Sequence, residues 1–477
     1  MKIGIRFIVA AGIALAFSLP GTAQVRTPEE QPASTVLRNV RIVDVYSGTV
    51  SELQDLLIEN GVITTIYGAG SGLKAAALID CDGFYVVPAL FDCHTHLAHL
   101  TNQSPDSLRE AMNGFVRSGV LQVRDVGGPI DRLAELSRRT AEGELLGPEI
   151  FYSGPMLESS PLTWEKINEA LPGFTVALDS EDDVDRVLPQ LAAQGACMVK
   201  TFNRIDQALY RHLVEAAGRA GLKIVHDPGT PLFHWMPIDE ALDLGVTCFE
   251  HAKAPWPVVL KDDLRARHDA ATGSGANPAA QMAVMMEAVE RGMEGVSLER
   301  LQALADRMVA RDALLCPTLT VFHEMAAAAS RQEERGQAGG AGDSLAPSGN
   351  AADSAAPFAN PDAMRRRVMA AMEEISRQFV RELAARHVKM LVGQDGCRPG
   401  ATLEEMELLR DCGVPDIEIL RGATLYPAEW LGVADRLGSV SKGRVANLLV
   451  LKADPLDDIG NMKTILFVIR KGLVVAS

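Results

Sequence analysis

The chain reads as an α/β protein: a (β/α)8 TIM barrel carrying a small β-sandwich domain formed from both chain ends. Three observations predict this. Between residues 86 and 396 short apolar segments alternate with amphipathic helical patterns. The flanks, 35–85 and 432–477, change to strand-like runs with Gly and charged punctuation. Residues of related chemistry, His94, His96, Lys200, His226, His251 and Asp395, each stand at the end of an apolar segment. An open doubly wound sheet is the competing architecture, but it would not bring residues from the first, fourth, fifth, sixth and eighth strands to one point.

Taken in order, Lys2 and Arg6 precede the apolar stretch Phe7 to Leu19, and Pro20-Gly21-Thr22-Ala23 follows with small residues. This is the pattern of a cleaved secretory signal over residues 1–23, so a periplasmic or secreted location is expected. The apolar stretch falls short of the roughly 20 residues of a membrane span, and Gln24 rather than cysteine follows it, so no lipid anchor is expected. Residues 35–85 hold the runs Val36 to Val43, Asp55 to Glu59 with the turn signal Asn60-Gly61, and Val62 to Tyr67. Residues 432–477 hold Asn447 to Leu451 and Ile465 to Gly472. Neither flank is long enough to bury a core alone, so the two are expected to pair.

The barrel occupies 86–431. Its strands are expected to end near His96, Asp125, Ser153, Phe202, His226, His251, Leu319 and Asp395, with helices such as Leu108–Arg117, Ile130–Thr140, Asp182–Gln194, Ala208–Ala220 and Leu298–Arg311 between them. One stretch breaks the rhythm. From Ala326 to Asp362 the sequence is dominated by Ala, Gly, Ser and Pro, which predicts a disordered insertion at 326–362 on the face that carries the active site in such barrels.

A hydrophobic content of 47% suits a large buried core, and the formal charge of −16, spread without long acidic runs, speaks against nucleic acid or anionic membranes as partners. The expected partner is a small-molecule substrate, with a homo-oligomer left open. The seven cysteines are odd in number and irregular in spacing, unlike a disulfide framework. Cys93, Cys197 and Cys248 lie at odd offsets from His94, Lys200 and His251, so they are expected to face outward against the helices.

His94 and His96 are two apart in a strand, so their imidazoles share a face and can grip one metal ion. Buried Lys200 is costly to desolvate; neutral, its amine can take up carbon dioxide to give a carbamate, a two-oxygen ligand suited to bridging metals. Asp395, beside a metal-bound water, can accept its proton and pass it to a leaving group. The metal lowers that water's pKa from about 15.7 toward roughly 7. His99, His212, His268 and His387 read as structural; His234, in a loop past His226, is a substrate-facing candidate.

The run Pro88-Ala89-Leu90-Phe91-Asp92-Cys93-His94-Thr95-His96 resembles the first-strand signature of the amidohydrolase superfamily, Pro-Gly-Leu/Phe-Ile-Asp-x-His-x-His. The likeness continues through Gly119 to Gly128 and reaches Gly432 to Gly443. Within the superfamily the chain most resembles the branch of imidazolonepropionase-like proteins and Xaa-Pro-type metal-dependent dipeptidases. The resemblance implies two zinc ions: His94 and His96 on the more buried one, carbamylated Lys200 bridging to a second held by His226 and His251, and Asp395 as ligand and proton shuttle. It also implies hydrolysis of a C–N amide bond by metal-bound hydroxide. Dipeptides or N-acyl amino acids are the expected substrates, with Arg204 pairing their carboxylate. Phe202 stands where the branch commonly has tyrosine, Gln394 replaces threonine, and Ala446-Asn447-Leu448 replaces Ala-Asp-Leu. The competing readings are a hydrolase of cyclic amides or lactones on the same site, and a non-catalytic binding barrel.

Overall fold

A computed structural model describes residues 7–9, 34–229, 236–272, 277–338 and 361–476. Eight parallel strands form the barrel: Leu90–Thr95, Val120–Asp125, Glu149–Tyr152 with its continuation Met156–Glu158, Met198–Thr201, Lys223–His226, Cys248–Glu250, Leu314–Cys316 and Lys389–Met390. Met156 lies opposite Lys200, which carries the sheet from the third strand to the fourth. The ring closes where the Cys93 N–H donates to the Val392 carbonyl at 2.8 Å and the Asp395 N–H donates to the His94 carbonyl at 2.9 Å. Strand eight thus delivers Asp395 onto the end of strand one.

Most of the strands are buried on both faces, as a barrel wrapped by helices requires, with Lys223 exposed at the start of strand five. The helices match their patterns: Pro105–Arg117 starts on Ser104, whose side chain accepts the Ser107 N–H, and Gln207–Ala220 starts on Asp206 and stops at left-handed Gly221. The chain ends pair into one small domain. Tyr85–Pro88 runs antiparallel to Leu448–Leu451 with Val86 opposite Val450, inside a sheet that also holds Ser34–Asp44, Thr49–Glu59, Val62–Gly68 and Ile465–Arg470. Its own core includes Leu37, Leu56, Ile63, Val86, Leu448 and Phe467. The Asn60-Gly61 turn has both residues at positive φ, 50° and 78°, the conformation a tight hairpin needs.

Three local expectations need adjustment. Strand seven ends at Cys316 rather than near Leu319, because Pro317 cannot donate to the ladder and Thr318 turns left-handed, φ 51°. The segment from Ala326 is not structureless at its start: helix Leu319–Ala338 runs through it with Ala329 buried, and helix Pro361–Ala385 returns. Alanine is the best helix former, so the Ala-rich start of this segment makes a helix rather than disorder; residues 339–360 lie outside the described residues. Cys93 and Cys248 do not face the outer helices. Both sit in an inner cluster with Met198, Val225, Leu314, Cys316 and Leu391. The alternation from which they were placed outside fails at His251, whose φ of 68° leaves the extended region, and at a register shift between Asp92 and Thr95.

The predicted leader lies outside the described residues except for Phe7–Val9, which pairs antiparallel with Ala77–Ile79. Among the described residues no helix is long and apolar enough to cross a membrane, and all seven cysteines are free.

Candidate metal centre

His94 and His96 leave strand one with their rings 5.3 Å apart. Each is fixed through its Nδ1. His94 Nδ1–H donates to Glu250 Oε2 at 2.5 Å, and His96 Nδ1–H donates to the Gly127 carbonyl at 2.9 Å. In the neutral rings this tautomer leaves the lone pair on both Nε2 atoms, and both meet Asp395 Oδ1 at 3.2 Å. Three electron-pair donors facing one point repel unless a cation or a proton stands among them. The three groups lie within 4.8 Å of one another, and their donor set, two imidazoles and a carboxylate, fits a divalent metal. The carboxylate and carbonyl behind the rings are the outer partners that orient metal-binding histidines.

The outer partner Glu250 is itself held. Its Oε1 accepts a short hydrogen bond from Arg124 Nη2, and both side chains are fully buried. Arg124 also donates from Nε to the Cys93 carbonyl at 2.6 Å and from Nη1 to Cys248 Sγ at 2.8 Å. Burial pushes the Glu250 carboxyl up, but the Arg124 and His94 charges outweigh it and hold it below its usual value. With a proton on the histidines in place of a cation, their charge and hydrogen bonds outweigh burial at Asp395 and hold its carboxyl well below the usual carboxylate range. Beneath the site, Asp92 accepts the His94 and Gln394 N–H groups on Oδ1, and the Gln394 amide and Thr402 hydroxyl on Oδ2. Gln394 therefore braces strand one from strand eight.

Lys200 and His251 reach the same place. Lys200 Nζ is 3.4 Å from His94 Nε2, and His251 Nδ1 is 3.8 Å from Asp395 Oδ2 and 2.8 Å from Thr318 Oγ1. Between them stands a residue that the sequence reading missed. Asp227 Oδ2 is 3.3 Å from Lys200 Nζ and 3.0 Å from His251 Nε2. Burial pushes its carboxyl up, but the charges of His251 and Lys200 hold it well below the usual range.

His226 is not with this group. Its Nε2–H donates to the Met236 carbonyl at 3.1 Å, and its Nδ1 lies 2.9 Å from Thr201 Oγ1 and 3.0 Å from Tyr210 Oη. Burial pushes it down to about 4, so the ring is neutral. The second ligand set implied by the resemblance, with His226 in it, does not fit this arrangement. His234 lies outside the described residues. Arg204, at φ 64° past strand four, donates from Nη1 to Thr163 Oγ1 at 2.7 Å and lies 3.8 Å from buried Glu158 Oε2. Phe202 stacks on Trp164, and Asn447 accepts the Lys471 N–H within the end domain.

Residues 357–475 match the amidohydrolase family model. The chain is 28% identical over 177 residues to imidazolonepropionase of Mesorhizobium japonicum, 35% of this chain and 41% of that protein. It is 34% identical over 112 residues to imidazolonepropionase of Bacillus mycoides, 23% of this chain and 25% of that one. The chain thus spans about two fifths or less of the length of these curated relatives. In fold it is similar to an Xaa-Pro dipeptidase solved with methionine in its active site, TM-score 0.66 at 18% identity, over 92% of this chain and 99% of that one. It is similar also to ochratoxinase of A. niger, TM-score 0.65 at 14% identity, over 94% and 96%. The family match thus covers a minority of the chain, at residues 357–475, while the barrel and its two-ended β domain share the fold of these solved neighbours.

Proposed function

We propose that this chain is an exported, metal-dependent hydrolase of a C–N amide or peptide bond in a small substrate, a dipeptide or N-acyl amino acid. The observation that carries the reading is the meeting of His94 Nε2 and His96 Nε2 on Asp395 Oδ1, with both Nδ1 atoms already engaged. A divalent cation held there would make water acidic enough to attack near neutral pH and would polarise the substrate carbonyl. Asp395 has a second oxygen, Oδ2, which neither His94 nor His96 contacts at Oδ1's distance; it can hold the proton of the attacking water and release it to the leaving nitrogen. Arg204 stands past the Lys200 strand and is the candidate partner for a substrate carboxylate; Thr163 and Glu158 steady it. The finer form of the reading is a zinc pair bridged by carbamylated Lys200. It is supported by the burial of Lys200 beside His94, and it requires the Lys200–Asp227 contact to open.

The imidazolonepropionase relatives favour one second reading, hydrolysis of a cyclic amide on the same site. Purified protein assayed against Xaa-Pro and other dipeptides, N-acyl amino acids and cyclic amides, with and without a chelator, separates the two. Linear substrates cleaved in a chelator-sensitive way support the proposal, and activity on rings alone moves it to the second reading. General acid–base catalysis contributes about 10²–10⁴-fold, so Asp395→Asn should lose about that much. Full turnover in that variant, or in chelated protein, overturns the mechanism.

A further inference from the structure

We infer that Glu405 is a positioning residue of the site: it holds the turn Thr318–Thr320 and thereby, through the Thr318 hydroxyl, the ring of His251. The inference rests on the metal-hydrolase reading for the purpose of that ring, not for the contacts that hold it. It starts from the first turn of the helix Leu319–Ala338, which follows strand seven. A helix begins with N–H groups that have no partner within it. A threonine just before the first turn ordinarily accepts one of them with its side chain. Thr318 occupies that position, yet its hydroxyl goes elsewhere. Its φ of 51° is rare for a β-branched residue, and its Oγ1 stands 2.8 Å from His251 Nδ1. His251 Nε2 lies 3.0 Å from Asp227 Oδ2, so the neutral ring carries its proton there and Nδ1 accepts from Thr318.

Glu405 provides the missing cap from another helix. Its Oε1 accepts the Leu319 N–H at 2.9 Å, and its Oε2 accepts the Thr320 N–H and the Thr320 hydroxyl, each at 2.7 Å. The residue is fully buried, and among the described residues no lysine or arginine pairs with it. A buried charge is costly unless hydrogen-bonded; here the three donors satisfy it, and the positive end of a 20-residue helix favours it. The helix that carries Glu405, Ala401–Asp411, also places Thr402, three residues earlier on the same face, against Asp92 beneath the site. Glu405 and Thr402 thus tie the exit of strand seven and the end of strand one to one rigid element. Phe322, one turn along from Thr318, sets its ring 6.5 Å from that of His251. Because Glu405 caps the helix, the Thr318 hydroxyl can serve the histidine.

The test reads the ring nitrogens of His251 by magnetic resonance in the metal-free full chain with isotope-labelled histidine nitrogens, assigned by their loss in His251→Gln, and records a melting midpoint for each variant. Thr318→Val removes the hydroxyl. Glu405→Gln offers one oxygen where two are used, so its amide N–H₂ must face a backbone N–H and the turn loosens. Both should move the Nδ1 resonance of His251, and Glu405→Gln should add no further shift to Thr318→Val. An unmoved Nδ1 in a Glu405→Gln protein that melts cooperatively overturns the inference, as does a further shift in the double variant. Should Glu405→Gln fail to fold, Thr320→Val, which removes one of the three donors, is read in its place by the same criteria. In turnover, Glu405→Gln should lower kcat by up to about 100-fold with KM near wild type, the cost of a misplacement of about 1 Å; an unchanged kcat overturns the positioning role. The resonances are read without turnover, so the failure of this inference is distinguishable from that of the hydrolase reading.

Discussion

Glu250→Gln tests whether a residue that does not face Asp395 governs the metal site. Glu250 serves two buried donors, His94 Nδ1–H on Oε2 and the Arg124 guanidinium on Oε1. Glutamine keeps the volume but offers one oxygen for both. Arg124 cannot lose its proton, so the oxygen stays with Arg124 and the amide N–H₂ faces His94. The ring must then accept on Nδ1, which moves its proton to Nε2, the atom that faces Asp395. The lone pair needed by the cation is lost to the wrong tautomer. Removing an outer carboxylate of this kind costs about 10–100-fold in metal affinity, or about 1.4–2.7 kcal/mol at 1.36 kcal/mol per tenfold. Salt screens exposed charges far more than buried ones, and all three side chains here are fully buried, so the loss should be the same at low and high ionic strength. The assay is a zinc competition titration against a chromophoric chelator at two salt concentrations. Wild-type affinity in a variant with a wild-type melting midpoint, or a loss that disappears in high salt, refutes the reasoning.

Three further outcomes follow from the same geometry. Because Glu250 titrates below its ordinary value of 4.5 in the folded chain, its contribution to stability is complete above that pH and lost as pH falls through the lowered value; Glu250→Gln should flatten the acid limb of the stability curve below pH 4.5, as read by denaturant midpoints. Gly393→Ala should destabilise by roughly 1–3 kcal/mol and lower zinc affinity without touching a ligand atom, since a Cβ there would stand 2.6 Å from Cys316 Sγ and 2.6 Å from the His94 backbone nitrogen; zinc titration and melting of the alanine variant check it. Arg204→Met should raise KM for substrates bearing a carboxylate roughly tenfold or more, as loss of a charged hydrogen bond of about 1.5–3 kcal/mol implies, and leave kcat near wild type; an unchanged KM removes Arg204 from substrate binding.

Which parts of this site could be seen in the sequence follows from where the backbone stays regular. His94, His96 and Asp395 were legible because their chemistry is rare at strand ends and because two of them sit at strand spacing. Lys200 was legible for the same reason. Facing was not, wherever it was counted through a strand end. His251, Thr318, Asp395 and Arg204 all have φ between 51° and 68°, and a left-handed residue other than glycine, asparagine or aspartate leaves little mark in a sequence. Counting back from His251 therefore put Cys248 outside the barrel, whereas the turn at His251 lets Cys248, Glu250 and His251 all face inward. Strand five is the opposite case. It stays extended to His226, so alternation holds, but its phase is set by its register against strand four, Lys200 opposite Val225. Register is a property of the closed barrel and not of either segment. The pairing leaves His226 on the outer face, against Thr201 and Tyr210, and brings Asp227 toward Lys200 and His251. The same argument explains Arg124 and Glu250: each reads alone as a costly charge in an apolar strand, and only the closure of strands two and six around His94 makes them partners.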